Sequence, residues 1–395
     1  MRKVDVLVLG AGISGCIAAL LLARKGYKVE IISRDIGTIY HLPESWVYDL
    51  PEEIVDLEDK LLSGVKKQSN CTFCSSDNQH CIEIVVKGKK DSIQKGDLVW
   101  VDRNHFDQIL LQAALEQGVQ LHPLSSIVDC QISPTEVNLH VESQGKLDEF
   151  VGSYIIDATG KSAFLSQHLG LPVKERKLDS RIAYFSHFDL DLSDELKEIK
   201  IVHTEGGYLF CFPLSGRRVS IGCVLAESVP YLQGSLEEVF SSAISSSSYL
   251  TDLVSRSKRV FPIIPAKNTQ RICLKPSGSR YRLIGDAAAF LDPFFCPGID
   301  FAFFSAKKAV ESIEKDSDAT YEADVIDWLG RSILSVYNKI ERSDWHEIVR
   351  LFADPHLPFV VPLMLTQSFG QLIKKDHSLK EGVELARSAY EMASC

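Results

Sequence analysis

No stretch of this sequence is long and apolar enough to span a bilayer. A crossing helix needs about 18 or more consecutive apolar residues. The best candidate, LPFVVPLML at 357–365, is about half that length and holds two prolines. Stable membrane insertion is therefore not expected. Basic clusters are missing too. Lys89-Lys90 and Lys374-Lys375 are isolated pairs, and 43 basic residues face 53 acidic ones, for a net charge of −10. Phosphate backbones are gripped by clustered cations, so nucleic acid is excluded as a partner. The ten cysteines lack regular spacing and read as reduced thiols rather than a disulfide framework. The apolar run after Arg2-Lys3 is broken by glycines at a motif spacing, so it reads as mature fold and not as a secretory signal. A cytoplasmic protein is the expectation.

What remains is ordinary globular material. Hydrophobic residues make up 45% and charged residues 24% of 395 residues. That length allows two or three domains, or one interwoven body, and it can bury a large core without staples.

The first specific signal is at the start. Val4 to Leu9 is a Val-rich run suited to a buried parallel strand. It enters Gly10-Ala11-Gly12-Ile13-Ser14-Gly15, then a helix-like stretch from Cys16 to Arg24, then a strand-like Tyr27 to Ile32. Strand, G-x-G-x-x-G, helix and strand within about 30 residues is the context a dinucleotide fingerprint requires. Gly10 makes the tight turn, Gly12 lets the backbone approach a pyrophosphate, and Gly15 lets helix and strand pack closely. The helix N-terminus then faces the phosphates. The acid expected at the end of the second strand, for the ribose hydroxyls, is Ser33, followed by Arg34. Either can serve the adenosine side.

A second backbone approach appears far downstream. Arg282-Leu283-Ile284 delivers Gly285-Asp286, and Pro297-Gly298-Ile299 opens a helix expected to run to about Val310. Gly285 leaves room for a cofactor, and the Asp286 carboxylate can accept from ribityl hydroxyls. The helix N-terminus can face a flavin pyrimidine, where negative charge grows on reduction. No second G-x-G-x-x-G exists, so no separate nicotinamide domain is visible.

Four separated stretches resemble the flavin-dependent monooxygenase and halogenase superfamily, the fold of the aromatic hydroxylases. They are GAGISG at 10–15, VDRNHFDQILLQAA at 101–114, YIIDATGKSAFLSQHLG at 154–170 and GDAAAFLDPFFCPGIDFAF at 285–303. The resemblance implies FAD as cofactor. Arg103 matches an arginine that contacts FAD, and Asp157, Gly160 and Ser162 match a second glycine motif. Pro293, Gly298 and Ile299 fall in the stretch expected to face the flavin. One branch of this superfamily modifies tryptophans of partner proteins during quinone cofactor biogenesis.

The halogenase hallmarks are altered. The G-W-x-W-x-I-P stretch appears as Gly207-Tyr208-Leu209-Phe210-Cys211-Phe212-Pro213. The comparable stretch after the second strand, LPESWVYDLPEEIVDLEDK at 42–60, keeps Pro43-Glu44-Ser45 but offers only Lys60 as a lysine. F-x-x-P-x-x-S-x-G appears as Phe290, Pro293, Cys296 and Gly298, with cysteine for serine. The same aromatic strand, followed by Gly222, also resembles prenyl reductases of the geranylgeranyl type. The reading is a monooxygenase. An electron-rich aromatic substrate, a small molecule or a protein tryptophan, would be hydroxylated through a flavin C4a-hydroperoxide. NAD(P)H or a separate flavin reductase would supply electrons. A prenyl reductase, a flavin halogenase and a non-enzymatic flavin-binding partner are the alternatives. Phe210, Cys296 and Pro297 are the candidate catalytic residues, with Tyr208, Phe212 and Phe295 lining the pocket. His203 and Glu44 are candidate bases.

Cys71, Cys74, His80 and Cys81 could hold zinc, but their crowding and alternation favour a strand hairpin. No metal is assigned. The expected fold is α/β, or an α+β composite. A Rossmann-like FAD domain (1–68, 96–170 and 271–312) is interleaved with a mixed β-sheet substrate side (69–95 and 175–270). Residues 313–395 read as a helical region, and SSAISSSSYL at 241–250 as a helix end and loop.

Overall fold

The computed structural model describes residues 2–34, 44–47, 49–63, 65–67, 70–74, 81–85, 98–101, 103–175, 181–191, 196, 199–204, 207–214, 217–226, 229, 233–268, 271–290 and 297–329. Pro293, Phe295, Cys296, His80 and everything after 329, including 357–365, lie outside these residues. Among the described residues no helix is long and apolar enough to cross a membrane.

One sheet is built on five parallel strands in the order Tyr281–Leu283, Lys146–Asp157, Arg2–Leu9, Val29–Ile32 and Gln120–His122. Its central strand buries Val6, Leu7, Val8 and Leu9 completely, as a strand covered on both faces must. The helix Ile13–Arg24 follows and is buried from Ile13 to Leu22 apart from Ser14. It packs between the helices Arg103–Glu116 and Pro297–Glu314. The hairpin Ser125–Ile132 and Val137–Ser143 extends the sheet antiparallel from Lys146–Asp157.

The second sheet is mixed. Arg181–Asp189, Arg218–Ala226, Gly207–Pro213 and Ile199–Thr204 run antiparallel in that order, and Asn70–Cys74 adds in parallel. Cys81–Val85 closes the edge, with Cys74 opposite Cys81. Strand alternation separates two cores here. Leu209 and Cys211 pack with the helices Leu236–Ser245 and Ser248–Ser255. Tyr208, Phe210 and Phe212 pack on the opposite side, in the cluster that includes the first sheet.

The observed elements refine the expected ones at their ends. The last helix of the fourth motif runs past Val310, to Glu314. SSAISSSSYL is a helix end, a two-residue turn at 246–247 and the start of the next helix. Ser235 and Glu238 cap the first of these helices reciprocally, and Ser247 accepts from Leu250 N–H at the start of the second. Within the described part of 313–395, Asp318–Leu329 is a helix whose Tyr321, Val325, Trp328 and Leu329 are buried.

Candidate active site

The four motifs meet at the C-terminal end of the parallel strands. Gly10 has φ +103°, and a β-carbon there would lie 2.4 Å from the Ala158 carbonyl oxygen. A β-carbon on Gly15 would lie 2.1 Å from the Gly10 carbonyl oxygen. These two glycines are therefore demanded by packing. Gly12 differs: nothing lies within 4 Å of its β-carbon position. It is the N-cap of Ile13–Arg24, with no side-chain cap and no acid in the first turn. Uncapped amides beside open space fit a pyrophosphate.

Gly285 completes the cradle from the other half of the chain. Its φ is +55°, and its β-carbon position lies 2.7 Å from Ser14 Oγ. Its N–H donates to Ser305 Oγ at 2.9 Å, which ties the turn to the Pro297–Glu314 helix. Burial raises the Asp286 carboxyl above its ordinary range, while Lys161 and Arg103 pull it back. Motifs at 103, 161 and 286 thus share one electrostatic environment. Lys161 Nζ also sits 4.0 Å from the centroid of Phe290. The sequence reading did not single out Lys161.

Asp157 is occupied by the fold. Its Oδ1 accepts from Thr159 N–H at 2.9 Å and Thr159 Oγ–H at 2.6 Å, and its Oδ2 accepts from Leu165 N–H at 2.7 Å. Burial nonetheless raises its pKa. Gly160, at φ +62°, faces open space. Ser162 offers its carbonyl to Gln167 Nε2 at 2.6 Å. Arg103 makes a two-pronged pair with Asp107, at 2.9 and 3.0 Å. Ser33 is locked through its backbone to His122 and Ser125, and Arg34 is exposed. The one buried acid of that second strand, Glu30, is held by His122 Nε2 at 2.8 Å. Ala11 is half-buried and Ile13 buried.

Comparison with known proteins agrees with this geometry. Residues 3–304 match the family described as FAD binding domain. The chain belongs to that family.

It is a flavoprotein, an FAD-dependent oxidoreductase of the monooxygenase and halogenase superfamily. It is 25% identical over 345 residues to flavin-dependent halogenase armH3 of Armillaria mellea, covering 78% of this chain and 67% of that protein. The structure of CmlS, a flavin-dependent halogenase, matches with TM-score 0.71 and 23% identity, covering 89% of this chain and 64% of CmlS. A geranylgeranyl bacteriochlorophyll reductase-like protein from Thermoplasma acidophilum matches with TM-score 0.76 and 16% identity, covering 98% of this chain and all of that one. The fold is therefore shared by a halogenase and a reductase-like protein.

FAD fits the residues present. Gly12 and Gly160 face open space and would allow close backbone approach, Gly285 would bring in the turn from the other half of the chain, and the Ile13–Arg24 N-terminus, which has no side-chain cap, would offer its amides. Pro297 begins the helix that follows, Gly298 is exposed and Ile299 is buried beneath it. In the second sheet, Phe210 stands opposite Gly222. A β-carbon on Gly222 would lie 2.5 Å from Phe210 Cζ, so the glycine makes room for the ring. Phe212 meets Phe210 edge-on at 5.1 Å. Lys60 is exposed on the Glu58–Leu62 helix. The side chains of Glu44 and His203 lie outside the described set.

One pair escaped the sequence reading. Trp46 donates its indole N–H to Asp300 Oδ1 at 3.1 Å. Asp300 follows Pro297-Gly298 and reads in sequence as a simple first-turn acid. Nothing local marks it as buried.

Proposed function

We propose that this flavoprotein is a monooxygenase that hydroxylates an electron-rich aromatic substrate, either a small molecule or a protein tryptophan, in the cytoplasm. One observation carries the reading. Tyr208, Phe210 and Phe212 lie on the sheet face turned toward the FAD-binding body, in one apolar cluster with it. An apolar aromatic wall at that interface favours a flat, water-poor substrate pocket.

Reduced FAD supplies the electrons that activate dioxygen for transfer of one oxygen atom. The chain's part is placement. Gly12 and the helix start hold the pyrophosphate, Gly285 and Asp286 hold the ribityl side, and Phe210 and Phe212 shape the substrate wall. Phe210, Cys296 and Pro297 are the catalytic residues this reading assigns from the sequence. Electrons come from transiently bound NAD(P)H or from a separate flavin reductase. On this reading 1–68, 96–170 and 271–312 serve the cofactor, and 69–95 with 175–270 serve the substrate.

Halogenation is the second reading, favoured by the halogenase relatives. The exposed position of Lys60 and the replacement of both tryptophans by Tyr208 and Phe210 speak against it. The experiment is product analysis after incubating reduced holoprotein with labelled dioxygen, chloride and a panel of phenols, indoles and tryptophan peptides. Incorporation of one labelled oxygen supports hydroxylation. A chlorinated product identifies a halogenase. Saturation of an added isoprenoid without oxygen incorporation identifies a reductase.

A further inference from the structure

Lys161 follows Gly160 in the short turn that leaves the Lys146–Asp157 strand. That strand lies between Arg2–Leu9 and Tyr281–Leu283 in the parallel sheet. Its turn is tied to both neighbours. Ala158 N–H donates to the Leu9 carbonyl at 2.8 Å, and Ile284 N–H, just before Gly285, donates to the Asp157 carbonyl at 2.9 Å. Gly160 at φ +62° and Ala163 at φ +39° give the turn left-handed residues on either side of Lys161. Alanine avoids that region, so the surroundings impose the shape.

Lys161 is exposed, whereas Arg103 and Asp107 are half-buried and bound to each other. Its ammonium is nonetheless placed. Nζ sits 4.0 Å from the centroid of Phe290, five residues past Gly285. Burial raises the Asp286 carboxyl, and Lys161, ahead of Arg103, pulls it back. The lysine side chain therefore reaches from the 154–170 motif to the 285–303 motif. Beside it, nothing lies within 4 Å of the β-carbon position of Gly160, as at Gly12. An accessible cation, glycine-opened backbone and an uncapped helix start thus stand on adjoining turns, a combination suited to an anion.

A cation resting on a surface ring is weakly held, so a stronger anion can draw it away. Oxidised FAD carries its negative charge on the pyrophosphate. It brings that charge to a cradle that already holds Asp286, and the helix start offers only partial positive charge. We propose that Lys161 is an anion-binding residue of the FAD cradle, and that its ammonium exchanges the Phe290 ring for the pyrophosphate of FAD. The proposal rests on FAD binding and is independent of which reaction the flavin performs.

The test titrates oxidised FAD into the flavin-free full chain at about 0.02 M and about 0.5 M salt. At low salt, Lys161→Met and Lys161→Gln should bind FAD about tenfold more weakly than wild type, and Lys161→Glu more weakly still. Lys161→Arg keeps the charge and should stay within about threefold. High salt should narrow the gap between wild type and Lys161→Met to about threefold or less, because it screens a contact between charges. A second readout needs no variant. An amine-reactive acyl ester should label Lys161 in the flavin-free chain. Saturating FAD should cut that labelling at least about fivefold, while the exposed Lys146 stays unchanged. Equal affinity in wild type and Lys161→Met, an undiminished gap at high salt, the same loss in Lys161→Arg, or unchanged labelling overturns the proposal. If the variants do not fold, the wild-type labelling still decides. No uptake of FAD by wild type at either salt would overturn the proposal together with the flavoprotein assignment beneath it.

Discussion

A β-carbon on Gly10 would lie 2.4 Å from the carbonyl oxygen of Ala158. The first fingerprint and the 154–170 motif are thus pressed together at one glycine. Gly10 also has φ +103°, a region that side chains avoid. Gly10→Ala should destabilise the fold by at least about 2 kcal/mol, through strain and backbone displacement together. Urea unfolding measures this. An unchanged midpoint would show that the close approach is not required.

Asp157 was read in sequence as part of a cofactor motif, yet it accepts three hydrogen bonds from Thr159 and Leu165. Asp157→Ala leaves those donors unmet in a buried setting. A loss of about 3 kcal/mol in chemical unfolding is expected. If stability is unchanged while FAD affinity drops, its role is at the cofactor and not in the turn.

Stability should depend on pH in a defined direction. Burial raises the carboxyls of Asp157, Asp286 and Asp300 above their ordinary range. The folded chain therefore binds these protons more tightly than the unfolded chain. Stability is then highest at the acid end of this window and falls as pH rises. For Asp300 the fall runs from the ordinary value of 3.8 to about 8 and then levels. The lowered carboxyls of Glu53, Asp56, Asp189, Glu237 and Glu238 act in the opposite sense at the acid end, so melting temperatures of the flavin-free protein should decline above about pH 5, and Asp300→Asn should remove the upper part of the decline. A rising curve in wild type contradicts the assignment.

Lys60 is the lysine of the loop region where a halogenase would need one, and it is exposed. Lys60→Met should leave product formation within about twofold of wild type. A total loss of product with intact FAD would return the halogenase reading to first place.

The parallel sheet and its glycine turn were legible in sequence because both signals are local. A Val-rich run, G-x-G-x-x-G and a helix follow one another without interruption. The aromatic strand was legible for the same reason, through its period of two. Three things were not. The partner of Gly10 is Ala158, well over a hundred residues away, and only the folded chain brings them together. Arg103 carries no sign of its pairing with Asp107 beyond the four-residue spacing. Asp300 and Trp46 are joined across the fold by burial, which no local pattern announces.

The most direct test of the account is equilibrium uptake of FAD by the flavin-free chain, in wild type and in Gly12→Val. The Gly12 position faces open space where the pyrophosphate is expected, so its side chain should block the cofactor and spare the fold. The account predicts about one FAD bound per wild-type chain, and affinity at least about tenfold weaker in a normally folded Gly12→Val. Equal uptake by both proteins, or none by wild type, would contradict it.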